Sequence, residues 1–179
     1  MQPGHTNDIK IVNTTKEDLP MVLHLFQQAM DLQGKNGYKV WSSIDKAGLE
    51  RDIEKGLQYK IVKGDDTLCI FSIQHNDPFI WREKDKNDAV YLHRIVVNPE
   101  FKGQKQFEKV LNWTKGFAKE NSLRFVRMDT WADNHKIIDY YKSFGFRFVE
   151  NYKTGDAPQL PVQNRNLNVA LLELELNDE

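Results

Sequence analysis

The segment from Ala89 to Tyr152 constrains the fold most, because its hydrophobic period switches from strand-like to helix-like and back. Ala89 to Val97 reads as a long apolar strand. Asn98-Pro99 stops it, since proline has no N–H to give to a ladder. Phe107, Val110, Leu111, Thr114, Phe117 and Ala118 then recur at i, i+3, i+4 and i+7 spacing, which predicts a helix over about 104–120. Phe125 to Thr130 is the next strand. Asn134 can cap a helix that carries Ile137, Ile138, Tyr141 and Phe144 on one side. Gly145 stands where a left-handed residue closes such a helix, and Phe146 can fold back on it. Phe146 to Tyr152 is again a strand. This β-α-β-α-β run predicts parallel pairing with right-handed crossovers.

The flanking sequence extends the pattern. Ile9 to Val12 is a short first strand. Thr15 with Asp18 resembles a helix start, and Leu19, Val22, Leu23, Phe26, Ala29 and Met30 follow at helical spacing up to Gly34 and Gly37. A weaker helix spans about 44–55, closed by Gly56. Tyr59 to Lys63 and Leu68 to Gln74 form an antiparallel hairpin around Gly64-Asp65-Asp66. Residues 76–88 read as a charged loop with two aromatics able to face solvent, Phe79 and Trp81. Residues 153–166 read as loop. Val169 to Leu176 alternates Leu with Glu, a strand with one wet face that could lie at a sheet edge and pair with another chain, a possible homodimer. The expected fold is α/β (α+β mixed): a single domain over 1–179, with one central, mixed, mostly antiparallel sheet of about six to seven strands and helices on both faces.

Composition narrows the function classes. Lys plus Arg is 25 and Asp plus Glu is 26, so the net charge of −1 gives no argument for nucleic acid or membrane. The one cysteine, Cys69, sits in an apolar run and reads as a buried structural thiol. No HExxH or Cys/His cluster suggests zinc, so no metal is expected. Met1 to Asp8 has no basic start followed by an apolar run, and no stretch approaches the ~18 apolar residues of a membrane span, so the expected location is the cytoplasm.

The segment Leu92-His93-Arg94-Ile95-Val96-Val97-Asn98-Pro99-Glu100-Phe101-Lys102-Gly103-Gln104 holds the most chemistry. A strand ends at proline, a glycine-bearing turn follows, and a strong helix begins. A helix N-terminus offers unpaired N–H groups and a positive dipole end, which suits a diphosphate. Lys102 and Lys105 add positive charge there. The same turn also fits a plain strand-to-helix connection.

The run from Tyr91 to Tyr152 resembles the GNAT superfamily of N-acetyltransferases. LHRIVVNPEFKG is similar to that family's fourth strand and its entry to the coenzyme A loop. Asn134, Tyr141 and Gly145-Phe146 resemble its N…Y…GF helix. The family loop reads R/Q-x-x-G-x-G/A; here it is Lys102, Gly103, Gln104, Lys105, Gln106 and Phe107, with Lys105 and Phe107 in the glycine positions. The resemblance implies acetyl transfer from acetyl-CoA to a primary amine of a small molecule or peptide, by direct attack on the thioester. It implies that the pantetheine arm lies along Ile95, Val96 and Val97 like an added strand, where a backbone N–H polarises the thioester carbonyl. It further implies that Asn134 binds the pantetheine amide and that Tyr141 protonates the departing thiolate. Read without the resemblance, Tyr141 is a core aromatic at helical spacing. His93 has the strand parity of Ile95 and Val97 and an ordinary pKa near ~6.5, suited to a general base; Asp129 is a second candidate. Arg94 is expected to pair with a carboxylate. Trp131, Phe79 and Trp81 are candidates to wall an acceptor pocket. The replaced glycines motivate an alternative: a catalytically weak acyl-CoA-binding regulatory module.

Overall fold

The structure is a computed structural model and describes residues 8–35 and 44–177. The readings placed on Met1 to Asn7 and on Gly37 lie outside these residues. Strands β1 (Ile9–Asn13), β2 (Gln58–Lys63), β3 (Asp66–Gln74), β4 (Ala89–Val97), β5 (Phe125–Trp131), β6 (Arg147–Lys153) and β7 (Asn168–Glu175) form one mixed sheet in the order β1-β2-β3-β4-β5-β7-β6. The helices are α1 (Leu19–Lys35), α2 (Lys46–Glu54), α3 (Pro78–Trp81), α4 (Gln106–Glu120) and α5 (His135–Lys142). The α/β class and the strand order along the chain agree with the sequence pattern. β4 and β5 are parallel, while β1–β2, β2–β3, β5–β7 and β6–β7 are antiparallel. Among the described residues, no helix is long and apolar enough to cross a membrane.

The chain divides into two compact units, Met1–Ser72 with Arg94–Val110, and Ile73–His93 with Leu111–Glu179. In the first, the apolar stripe of α1 (Val22, Leu25, Phe26) packs with Leu49, Ile70 and Val96. Helix α1 is entered through a capping box, in which the Thr15 N–H donates to Asp18 Oδ2 at 2.9 Å. The end of β4 is tied to β3: the Asn98 N–H donates to the Leu68 carbonyl at 3.0 Å, and Asn98 Nδ2 to the Thr67 carbonyl at 2.9 Å. Cys69 on β3 is fully buried, and burial pushes its thiol up to about 12.

In the second unit, Ile80, Trp81, Ala89, Tyr91, Phe125, Leu160, Val169 and Leu171 form the core. Arg127 is buried within it. Its Nε donates to Glu173 Oε2 at 2.8 Å and its Nη1 to the Lys84 carbonyl at 2.8 Å and the Tyr91 hydroxyl at 3.0 Å. The guanidinium also lies 4.6 Å from the Trp81 ring centroid, a cation–π contact.

Three sequence readings are corrected here. Residues 76–88 are not all loop: Pro78 at the first helical turn starts α3, and a 3₁₀ turn, Arg82–Lys84, follows. Trp81 is 0% exposed, so it belongs to the core and walls no pocket. β7 is not an edge strand, because β6 lies outside it. Its polar side is not uniformly wet either, since Glu173 is buried between Arg127 and Arg147. The basis for a homodimer through β7 falls with that.

Candidate active site

His93 on β4 lies near two carboxylates, those of Asp77 and Asp129. Its Nε2 is 3.1 Å from Oδ2 of Asp77. A carboxylate only accepts, so the ring nitrogen carries the proton of this bond, and Asp77 orients the imidazole. Asp77 precedes α3 but makes no side-chain cap bond there, which leaves its carboxylate for the histidine. The loop behind it is braced: Asp85 Oδ2 accepts from the Asp77 N–H at 2.8 Å, and the Tyr91 hydroxyl donates to Asp85 Oδ1 at 3.0 Å. Asp129, near the end of β5, completes the group. The ligand-capable atoms of Asp77, His93 and Asp129 all lie within 4.8 Å of one another. Desolvation pushes the Asp129 carboxyl up to about 6; His93 offsets part of that, and Asp77 adds to it. This is the one group among the described residues compact enough to hold a metal ion. It is equally a base with its orienting acid and a second proton acceptor.

A second locus follows β4 in the other unit. Asn98 Oδ1 accepts from the Glu100 N–H at 3.1 Å, which starts a 3₁₀ turn Pro99–Phe101. The chain then bends through Gly103 at φ 81° and Lys105 at φ 60° before α4. Both are left-handed, a conformation that glycine adopts freely and lysine does not. Among the described residues, the N–H groups of Gly103, Gln104 and Lys105 meet no acceptor. A run of free N–H groups ahead of a helix has the geometry that suits an anion. A Cβ at Gly103 would meet nothing within 4 Å, so the turn is open. Gln106 and Phe107 are buried. The Phe107 side chain points inward and leaves the turn clear.

Residues 67–146 match the family model of the Acetyltransferase (GNAT) family. Over that stretch the chain is similar to the GNAT acetyltransferases. It is 23% identical to the uncharacterized N-acetyltransferase YesJ of Bacillus subtilis over 74% of this chain and 78% of that protein. Its fold is similar to that of a GNAT-family acetyltransferase from Listeria monocytogenes, with TM-score 0.74 and 21% identity over 94% and 95% of the two chains. It is also similar to yncA of Salmonella typhimurium, a putative acetyltransferase whose structure holds its cofactor acetyl-CoA, with TM-score 0.64 and 16% identity over 97% and 96%. The loop that departs from the family's glycines keeps a glycine-like backbone at Lys105.

The candidate residues fall into two groups. Ile95, Val96, Val97, Lys102, Gly103, Gln104, Lys105, Gln106 and Phe107 share the first unit, and His93, Asp129, Asn134 and Tyr141 share the second. Asn134 caps α5, its Oδ1 accepting from the Ile137 N–H at 3.2 Å. Tyr141 is half-buried on α5, with its ring 6.4 Å from that of buried Phe146, whereas Tyr140 is 43% exposed. Trp131 ends β5 half-buried, and Phe79 is exposed. Arg94 does pair with carboxylates, those of Asp52 and Asp45. The parity argument for His93 fails: Arg94 sits at φ 53° between His93 and Ile95, and the two-residue alternation of a strand does not run through a left-handed residue. Sequence reasoning missed Asp77. The Asp-Pro pair signals a helix start, but nothing local signals a partner for His93.

Proposed function

We propose that this acetyltransferase moves the acetyl group of acetyl-CoA directly to a primary amine of a small molecule or peptide in the cytoplasm, with residues 1–179 acting as one acyltransferase domain. The oriented imidazole of His93 carries this reading. The amine nitrogen attacks the thioester carbon, the carbon–sulfur bond breaks, and the nitrogen's proton passes to His93, which Asp77 holds in place. Asp129, whose carboxyl desolvation pushes up to about 6, is the second proton acceptor. The departing thiolate takes a proton from Tyr141, whose phenol class is protonated at pH 7.

The run of free N–H groups supports binding of the coenzyme's diphosphate at Lys102 to Phe107, with the ammonium groups of Lys102 and Lys105 adding attraction. Ile95, Val96 and Val97 offer strand backbone to the pantetheine arm. Asn134 offers its Nδ2, which makes no hydrogen bond among the described residues, to a pantetheine carbonyl. The lysine and phenylalanine in the glycine positions do not favour a binding-only protein, since one keeps the left-handed turn and the other packs inward. Thiol release from acetyl-CoA with a panel of primary amines tests the reading. Calorimetric binding of acetyl-CoA without amine-dependent thiol release from any member of the panel would overturn it.

A further inference from the structure

Arg94 combines three features that a strand residue rarely shows together. Its backbone is left-handed, φ 53°, in the middle of β4, a conformation that L-residues other than glycine disfavour. Its guanidinium reaches α2, where Nη1 donates to Asp52 and Nη2 lies 3.5 Å from Asp45 Oδ2. Asp52 is buried, and Asp45 is the N-cap of α2, its Oδ1 accepting from the Gly48 N–H at 3.0 Å. Finally, α2 is built around that guanidinium. A Cβ at Gly48 would clash with Asp45 Oδ2 and stand 2.9 Å from Arg94 Nη2, so a side chain there would displace both. Backbone strain of this kind persists where the surroundings over-determine it.

The register of β4 with β5 covers Ala89, Val90 and Tyr91 and goes no further. Beyond it come the left-handed Arg94, then Ile95, Val96 and Val97, then Asn98 anchored to Thr67 and Leu68. The three residues that offer backbone to the acyl donor are therefore pinned at one end by Asn98 and at the other by Arg94. We propose that Arg94, clamped by Asp45 and Asp52, is a positioning residue for acetyl transfer: it holds the kink in β4 that presents the Ile95–Val97 backbone to the thioester arm of acetyl-CoA. This rests on the reading that acetyl-CoA lies along β4. It adds the device that sets the strand's geometry.

The test separates backbone from charge. Arg94→Gly removes the ion pairs but adopts positive φ freely, whereas Arg94→Val removes them and strongly disfavours positive φ. Acetyl-CoA affinity is read by calorimetry, and kcat/KM by thiol release. If the parent does not bind acetyl-CoA, the underlying reading fails whatever Arg94 does. Given binding, Arg94→Val is expected to lose about 10²-fold in kcat/KM, the scale of a small misplacement of reacting groups. Arg94→Gly should stay within about tenfold of the parent, a rescue that a merely structural ion pair does not give. Equal losses in both variants, or no loss in Arg94→Val, overturn the proposal. Should Arg94→Val fail to fold, the Asp45→Asn/Asp52→Asn double variant replaces it. That variant leaves Arg94 without its charged partners and should weaken acetyl-CoA binding; unchanged affinity overturns the proposal.

Discussion

Nε2 of His93 sits 3.1 Å from Oδ2 of Asp77, although 16 residues separate them in the chain. The pairing gives β4 an imidazole of fixed orientation. Replacing His93 with Ala is expected to lower kcat/KM for the amine by about 10²–10⁴-fold, the usual worth of a general base, with acetyl-CoA affinity retained. Asp77→Asn keeps the ring and weakens its orientation, so its loss should be smaller. Thiol-release kinetics on both variants, with calorimetry of acetyl-CoA, check this ordering. A larger loss in Asp77→Asn than in His93→Ala would make Asp77 the group that meets the amine.

Asp129 carries a pH prediction for stability. Its carboxyl is raised from 3.8 to about 6 in the folded chain, so between those values the folded state binds more protons than the unfolded state. Its contribution is therefore most favourable below the unfolded value and declines as pH rises toward the folded one. Asp129→Asn cannot ionise and escapes that decline. The melting temperature of the variant relative to the parent should rise between about pH 4 and about pH 7. Thermal melts at both pH values measure it, and a difference that does not change with pH refutes it.

Tyr141→Phe keeps the ring packed near Phe146 and removes only the hydroxyl. Stability should change little, while kcat falls by about 10²–10⁴-fold if the phenol protonates the thiolate. Coenzyme A affinity distinguishes this from a ligand contact, because a lost contact weakens binding and a lost acid does not. The comparison needs conditions in which chemistry limits turnover.

Lys105 occupies a left-handed turn, φ 60°. Glycine there carries no Cβ penalty, so Lys105→Gly is expected to stabilise the fold by about 1 kcal/mol. For a chain of this size that is roughly 2–4 °C in melting temperature. Lys105→Val should move the other way, since a β-branched residue resists positive φ. Circular dichroism melts of the two variants give the sign directly.

The strands and helices from β4 to β6 were legible because each has a strong period of its own and a stop signal at its end: Pro99, Asn134, Gly145. The glycine-bearing turn ahead of α4 was legible for the same local reason. Two things were not. Trp81 read as an aromatic able to face solvent because nothing near it in sequence announces the buried Arg127 guanidinium that it packs against. Asp77 and His93 meet only through the tertiary path of the chain, and local period carries no record of that. The kink at Arg94 also defeats pattern reading, because arginine is not a residue that marks a left-handed position and its cause lies on α2.

Cys69 has a consequence for how this acetyltransferase can be watched. Its sulfur is sealed in the β3 core, and burial holds the thiol protonated at working pH. A disulfide-exchange dye added to a native sample therefore counts only sulfur shed by the coenzyme, so the chain adds no background to its own reaction. Capture of Cys69 by the dye requires β3 to open. With one cysteine in the chain, the slow labelling rate becomes a clock for that opening, and its acceleration in a variant measures lost protection at a single known site.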